Sequence, residues 1–537
     1  MTHTSNYDVA LPEKAETSRR NTYIALVVGV LVAMIAWAIY RPDRVRPFDI
    51  QDFGILLPFL KRTDSFLEQV ASIASHDASH AGRANIVQVV AAVLKWRLFG
   101  TWVPGWQITH ASVILVVMVQ TYFLLRRLGA TRFGSLVAAS IYLVAPAAAR
   151  SWIRLPVGEP LGMIVILALT LRATRFQRAA EWPREVAFFA AGAIFVLLTK
   201  ELMAPALLLP LLCALVWQSR GPFDLPSWSR RNVVLVVSMG AVSLLTLVAV
   251  FVVYQHAPTA ALASQYGHSL RSPDAILAIW IATVVPFDLA PKPVSLMWAL
   301  ASAGLAMLVV AGWWIGIHDR ADGNRARCVL VVALLFPLLG AIAYAPWPAY
   351  EERYAFPYLV GTSVLLGMAV SYVQQSSPGG VRWALLGWGA VSAFAAGGAA
   401  ALASRADAVQ RANDSLLTIV AERRDVDSVL VATARPFARE SEGFGPTLKQ
   451  LASATERPWP PTRDIRCEEA GERLRSRARI TVVIFISQCD GPLRKTTKVV
   501  AYYRRVDWPR WRLVDDSVRA DIISDAKSIE GALVGHR

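Results

Sequence analysis

The sequence predicts a polytopic α-helical membrane protein of about eleven transmembrane helices, N-terminus in and C-terminus out, with a small extracytoplasmic C-terminal α/β domain. Three observations carry that expectation. The chain of 537 residues is 55% hydrophobic. Its apolar residues gather in repeated runs of membrane-spanning length. Its arginines concentrate in alternate short loops, the asymmetry that orients helices in a bilayer. Those loop arginines account for most of the formal charge of +16, so a nucleic-acid partner is not needed to explain it.

Apolar runs place spans near 22–40, 107–125, 133–149, 157–171, 186–199, 202–217, 232–254, 293–317, 328–345, 354–373 and 383–403. The first follows Arg19 and Arg20 and lacks a small-residue cleavage site, so it reads as an uncleaved signal anchor behind a cytoplasmic tail, 1–21. Alternation then makes cytoplasmic the loops that hold Arg126, Arg127 and Arg132; Arg172, Arg175, Arg178 and Arg184; Arg220, Arg230 and Arg231; and Arg320, Arg325 and Arg327. The outer loops are poorer in positive charge. The membrane domain is therefore 22–403, with 41–106 a long extracytoplasmic loop. Within that loop IVQVVAAVLKWRLFG has an apolar stripe but contains Lys95 and Arg97, which predicts an interfacial helix. Arginine far outnumbers lysine and alanine is abundant, a bias of GC-rich bacterial genomes that points to a bacterial inner (plasma) membrane.

From residue 404 the long apolar runs stop, and 404–537 reads as the extracytoplasmic domain. DSVLVATARP, ARITVVIFIS and KVVAYYRRV are its strand candidates among helical patterns. In an oxidising compartment Cys467 and Cys489 are placed to form a disulfide, whereas Cys213 and Cys328 fall in or beside spans and read as packing residues.

Polar groups collect at the outer ends of the spans. RPFDIQDFGILLPFL sets Asp49 and Asp52 three residues apart directly after the first span. An isolated pair of this kind solvates a loop, caps a helix or pairs with Arg44 and Arg46; other charges on the same side give it a different context. Lys200 and Glu201 alone join two spans, the first run about 15 residues long and so about 22 Å of helix. That length recesses the turn, where an ionisable group is a functional-site hypothesis. WPAYEERYAFPYL places Glu351, Glu352 and Arg353 among aromatics, and RLPVGEPLG places Glu159 near Arg154. In HDASHAGRAN, His76 and His80 share a helix face beside Asp77, a pairing more often unliganded than metal-bound. His256, His268, Tyr266 and Arg271 mark another outer loop.

The order of these features resembles the GT-C superfamily of polyprenyl-phosphate-sugar-dependent glycosyltransferases, the group with protein O-mannosyltransferases and lipid A aminoarabinose transferases. The likeness spans about residues 20–375 and lies in FDIQDF, HAGRAN, TKE and EERYAFP. By that resemblance Asp52 is the general base and Asp49 its supporting acceptor, or the two hold Mg²⁺ or Mn²⁺ as in some members. Lys200, Arg353 and Arg83 are the donor-phosphate cations, with Glu201, Glu352, Glu159, His80 and Asn85 in support. The sequence departs from the family in spacing its two acids and in having no recognisable repeat in its tail.

The implied chemistry suits these residue types. A sugar on a polyprenyl phosphate is already activated, so the site must position an acceptor hydroxyl, accept its proton and stabilise the departing phosphate. Direct displacement inverts the anomeric carbon. The expected partners are the polyprenyl-phosphate-linked sugar, membrane lipid and a glycan, lipid or protein acceptor, with no cofactor required beyond a possible divalent cation. A non-catalytic carrier or flippase of lipid-linked sugars, or a cell-surface glycan polymerase or ligase, is the alternative.

Overall fold

A computed structural model describes residues 34–35, 56, 59–61, 65–81, 85–100, 102–153, 158–174, 182–218, 272–284, 296–318, 323–344 and 352–376, isolated helical positions between 237 and 248, and the segments 428–433, 461–466, 481–486, 499–504 and 512–513. The expected spans 22–40, 232–254 and 383–403 fall largely or wholly outside the described residues, as do Cys467 and Cys489.

The segment between the first two expected spans contributes two helices, α1 (Phe66–Ala81) and α2 (Ile86–Phe99). A reciprocal capping box starts α1: the Ser65 amide donates to Glu68 Oε2 (2.8 Å) and the Glu68 amide to Ser65 Oγ (3.3 Å). Hydrogen bonds from the Ser65 hydroxyl and amide hold the Glu68 carboxyl below its usual range. Leu60, Ile73, Val89, Val93 and Trp106 form a small core between the helices and the chain that follows. Arg97 Nε ties α2 to α1 by donating to Gln69 Oε1 at 2.9 Å. Leu94 and Leu98 remain 50% and 64% exposed. A helix of 14 residues is about 21 Å long, too short for the hydrocarbon core, and an apolar outer row suits the interfacial placement expected for it.

The bundle follows as α3 (Val103–Leu128), α4 (Arg132–Val144), α5 (Pro146–Ile153), α6 (Glu159–Ala173), α7 (Trp182–Thr199), α8 (Leu208–Gln218), α9 (Pro273–Val284), α10 (Leu296–His318), α11 (Gly323–Ala343) and α12 (Leu359–Ser376). Three described helical stretches, Pro104–Leu128, Gly323–Ala343 and Tyr354–Ser376, are long and apolar enough to cross a membrane, and shorter apolar helices accompany them. The chain is a multi-pass membrane protein.

Two differences from the sequence expectation have local causes. The run 133–149 is divided between α4 and α5 because Ala145 is extended (φ −66°, ψ 141°) before Pro146, as the proline ring disfavours a helical predecessor. The Trp152 indole closes the corner by donating to the Tyr142 carbonyl at 2.8 Å. The second is α9, not among the expected spans because its 12 residues reach only about 18 Å. It is nonetheless built into the bundle, with Trp280 Nε1 donating to the Leu334 carbonyl and Thr362 Oγ1 to the Thr283 carbonyl.

Helix α12 is the buried axis of the described bundle, with α4, α10 and α11 packed around it. Small residues permit the closest crossing: a Cβ on Gly134 would lie 2.4 Å from the Gly367 carbonyl oxygen, and one on Gly367 2.7 Å from that of Gly134. At the same crossing Thr131, the N-cap of α4, accepts from the Gly134 amide and donates to Gln374 Oε1 at 2.6 Å.

In the tail, β1 (Ser428–Thr433), β2 (Thr462–Arg466), β3 (Thr481–Ile486), β4 (Val499–Arg504) and β5 (Arg512–Leu513) form one sheet in the order β2-β1-β3-β4-β5. The pairs are parallel except β4 with β5. The three strand candidates correspond to β1, β3 and β4; β2 and β5 carry polar sequences that gave no apolar signal. The segments joining the strands, where helical patterns were expected, lie outside the described residues.

Candidate functional site

Two short 3-10 helices, Glu201–Leu207 before α8 and Glu352–Tyr358 before α12, lie at the same end of the bundle and touch. Each contains a proline, Pro205 and Pro357. Lys200 stands between α7 and the first of them in an extended conformation (φ −166°, ψ 116°), which ends the hydrogen-bonding ladder of α7 and frees the side chain to turn inward. Its ammonium pairs with Glu159 Oε1. The Glu159 side chain is only 1% exposed and that of Lys200 14%; a carboxylate removed from water to this degree requires its cation.

Glu159 is the first residue of α6, where a carboxylate also meets the positive end of the helix dipole. The preceding Gly158 is required by packing. A Cβ there would lie 2.9 Å from Thr199 Cγ2 and 3.0 Å from Gln88 Oε1, so α6, α7 and α2 meet at this glycine.

Aromatic rings close the other side. The Lys200 ammonium is 4.4 Å from the centre of the Tyr354 ring, a cation–π distance. Tyr354 is stacked on Tyr344 (5.0 Å, 11°). Tyr344 meets Tyr358 edge-on, and Phe356 does the same to Tyr142. All four tyrosines are buried, which makes them a wall supporting the lysine.

His110 on α3 extends the polar cluster toward the first loop. Its Nε2 lies 2.5 Å from the Ser151 carbonyl oxygen of α5; a carbonyl only accepts, so Nε2 carries the proton and donates. His110 is buried within electrostatic reach of both Lys95 and Glu159. Lys95 lies over the Trp106 indole, 5.8 Å from ring centre to ammonium, and burial pushes its pKa down to about 8. Of the ionisable groups drawn from α2, α3, α6 and the α7–α8 turn, Glu159 and Lys200 are in direct contact, with His110 and Lys95 on the neighbouring helices.

The opposite end of α6 is different in kind. Arg172, about 20 Å along the helix from Glu159, makes two 2.7 Å hydrogen bonds to the Glu185 carboxylate. Arg127 donates to Thr174 Oγ1 at 2.9 Å. The bundle therefore has a surface arginine end and a recessed lysine–carboxylate end.

Among the sequence candidates, Lys200 and Glu159 come together. Glu201 opens one 3-10 helix, and Glu352 and Arg353 open the other; their side chains lie outside the described ones. His80 is on α1, likewise without a described side chain. Asn85 is the N-cap residue of α2; its Oδ1 is buried and has no hydrogen-bond partner among the described residues. His76 packs on Phe59, and among the described residues no group of three or more metal-ligating side chains gathers. Asp49, Asp52, Arg83, Arg154, Tyr266, His256, His268 and Arg271 lie outside the described residues. Cys213 and Cys328 are buried free thiols. Sequence reasoning passed over His110, Lys95 and Tyr344 as site residues. An ionisable residue inside an expected span is itself a signal, and His110 carried it.

No protein-family model and no curated protein matches the chain. Among solved structures it is similar to ArnT from Cupriavidus metallidurans in the apo state, at 14% identity and TM-score 0.48, over 90% of this chain and 93% of that one. The same protein bound to undecaprenyl phosphate gives 14% identity and TM-score 0.46, over 84% and 91%. The Archaeoglobus fulgidus oligosaccharyltransferase gives 13% and 0.42, over 80% of this chain and 64% of that one. Both proteins belong to the GT-C superfamily, the one that the motif order of this chain resembles.

Proposed function

We propose that the protein is a membrane glycosyltransferase that moves a sugar from a polyprenyl-phosphate donor to an extracytoplasmic glycan, lipid or protein acceptor with inversion. One observation carries the reading: Lys200 and Glu159 form a recessed ion pair, walled by Tyr354, at one end of a membrane bundle. A donor whose prenyl tail stays in lipid and whose phosphate sits at the membrane edge needs a cation at that depth. In this reading 404–537 is an extracytoplasmic domain, and the site faces outward from a bacterial inner membrane.

In the reaction the acceptor hydroxyl oxygen bonds to the anomeric carbon as the bond from that carbon to the phosphate oxygen breaks. The hydroxyl proton passes to Asp52, with Asp49 in support. The electron pair leaves with the polyprenyl phosphate, whose charge Lys200 offsets together with Arg353 and Arg83. Glu159 holds the Lys200 ammonium at the recess, and the Tyr354 face excludes water on its other side. Glu201, Glu352, His80 and Asn85 support these groups. No step is routed through a divalent ion.

The test is an assay of the full chain in lipid with a panel of labelled polyprenyl-phosphate monosaccharides and crude periplasmic glycans. Transfer is expected from wild type and is expected to fall at least about 100-fold in Asp52→Asn and Lys200→Gln, both still inserted in the membrane. Donor binding without release of polyprenyl phosphate from any donor would overturn the enzyme in favour of a carrier.

A further inference from the structure

We infer that the carboxyl edge of the tail sheet is a binding site for an oxyanion, a phosphate or carboxylate group of a small ligand, held between Arg466 at the end of β2 and Arg504 at the end of β4. The site is separate from the Lys200 recess and does not depend on the transfer reaction. It rests on the register of four parallel strands.

The register sets the last residues of these strands in one row. Thr433 of β1 is paired with Arg466 of β2 on one side and with Ile486 of β3 on the other, and Ile486 is paired with Arg504 of β4. Paired residues of parallel neighbours share a face of the sheet, so Arg466, Thr433, Ile486 and Arg504 belong to one face at its carboxyl end. The amino end differs: Ser428, Thr481 and Val499 form an uncharged row there. The charged residues of the described strands are Arg463, Asp464, Arg466, Arg504 and Arg512. Asp464 stands two positions before Arg466, which leaves the terminal row without a carboxylate. Arg463 stands three positions before it and so belongs to the opposite face. Arg512 of β5 is paired with Tyr503, one row in from Arg504. The carboxyl edge is therefore positive.

Topology puts that row where a parallel sheet takes ligands. In the order β2-β1-β3-β4 the chain steps one way from β1 to β2 and the other way from β3 to β4, so the direction reverses between β1 and β3. In open α/β sheets ligands seat outside the carboxyl ends of the strands at such a reversal. With neighbouring strands about 4.8 Å apart, the midpoint between β1 and β3 is about 7 Å from the ends of β2 and β4 alike. An extended arginine side chain covers that distance. Arg466 and Arg504 are thus equidistant from the reversal, and Thr433 adds a hydroxyl donor in the same row. A guanidinium carries a planar fork of N–H donors that matches the oxygens of a phosphate or carboxylate and has no acceptor to offer in return. Two of them about one crevice select for negative charge.

The experiment uses the full-length protein in nanodiscs of zwitterionic lipid, titrated by calorimetry with inorganic phosphate, with galacturonate as the carboxylate probe and with galactose as its neutral counterpart. Thermal unfolding checks that each variant folds. At least one of the two anions is expected to bind and galactose is not. Arg466→Gln and Arg504→Gln are each expected to weaken that binding about tenfold, the value of one charge-assisted contact. Arg463→Gln, on the opposite face, is expected to stay within about threefold of wild type. Arg466→Lys and Arg504→Lys keep the charge but lose the fork, and are expected to fall between wild type and the glutamine variants. Preference for phosphate supports a phosphate-bearing ligand; preference for galacturonate supports an acidic sugar. Binding of neither anion, binding unchanged in both folded glutamine variants, or an equal loss in Arg463→Gln would overturn the inference. Where a glutamine variant does not fold, the lysine variant decides, and affinity equal to wild type in it would overturn the inference as well. Phosphate binding that survives both tail variants but is lost in Lys200→Gln would move the anion to the bundle, overturning this site and leaving the proposed function standing.

Discussion

Lys200 and Glu159, separated by 41 positions in sequence, share one buried ion pair at the meeting of α6, α7 and two 3-10 helices. The pair is the pivot of the site. It ties the first turn of α6 to the turn between α7 and α8.

Breaking the pair from one side is expected to destabilise the protein more than removing it. Glu159→Gln leaves the Lys200 ammonium without its carboxylate and should cost about 3–5 kcal/mol, whereas Glu159→Gln with Lys200→Met should recover most of that loss. Thermal unfolding of the two single variants and the double variant measures the coupling. A double variant as unstable as the sum of its singles would show that the pair contributes nothing as a pair.

The Tyr354 ring contacts the lysine through its face. Tyr354→Phe keeps that face and is expected to leave stability and donor binding nearly unchanged, while Tyr354→Leu should lose about 1–2 kcal/mol. Denaturation midpoints of the two variants separate the ring from its hydroxyl.

Lys95 gives stability a pH dependence of definite sign. Burial lowers its folded pKa from 10.5 to about 8, so between those values the unfolded chain binds the proton that the folded chain has released. Stability contributed at this residue therefore rises with pH from about 8 to 10.5 and is flat in Lys95→Gln. The titratable groups described nearby are His110 and Glu159, the latter paired with Lys200. Unfolding temperature measured from about pH 6.5 to about pH 9.5 in wild type and Lys95→Gln checks the sign.

Helix α12 reaches the site through its packing on α4. Gly367→Val inserts side-chain atoms where a Cβ alone would stand 2.7 Å from the Gly134 carbonyl oxygen, and is expected to cost about 1–3 kcal/mol or shift the helix. Gly304→Ala, on α10 with open space beside it, serves as the control and should hold the unfolding temperature or raise it slightly, since alanine favours the helix.

Much of the architecture is legible in single stretches of sequence. The run from 107 to 125 becomes α3, the lysine-bearing stripe at 86–99 becomes the short helix α2, and the alternating segments at 428, 481 and 499 become strands. Local physics suffices there, because apolar run length and period are properties of adjacent residues. Even the break before Pro146 was available in principle from the proline itself. Helix α9 was not legible, since a 12-residue apolar run is too short to announce a place inside a membrane bundle and acquires one only through Trp280 and Thr283.

The sequence by itself determined that this chain lives in a membrane, where most of its described helices fall, and that Lys200 and Glu159 stand at helix ends where charge is expensive. It did not determine that they are partners. That pairing, the Tyr354 ring against Lys200, and the His110 ring on the Ser151 carbonyl were decided by tertiary structure. The physical reason is that a recessed charge is tolerable only beside its complement, and the complement is set by how helices cross rather than by what precedes or follows it along the chain.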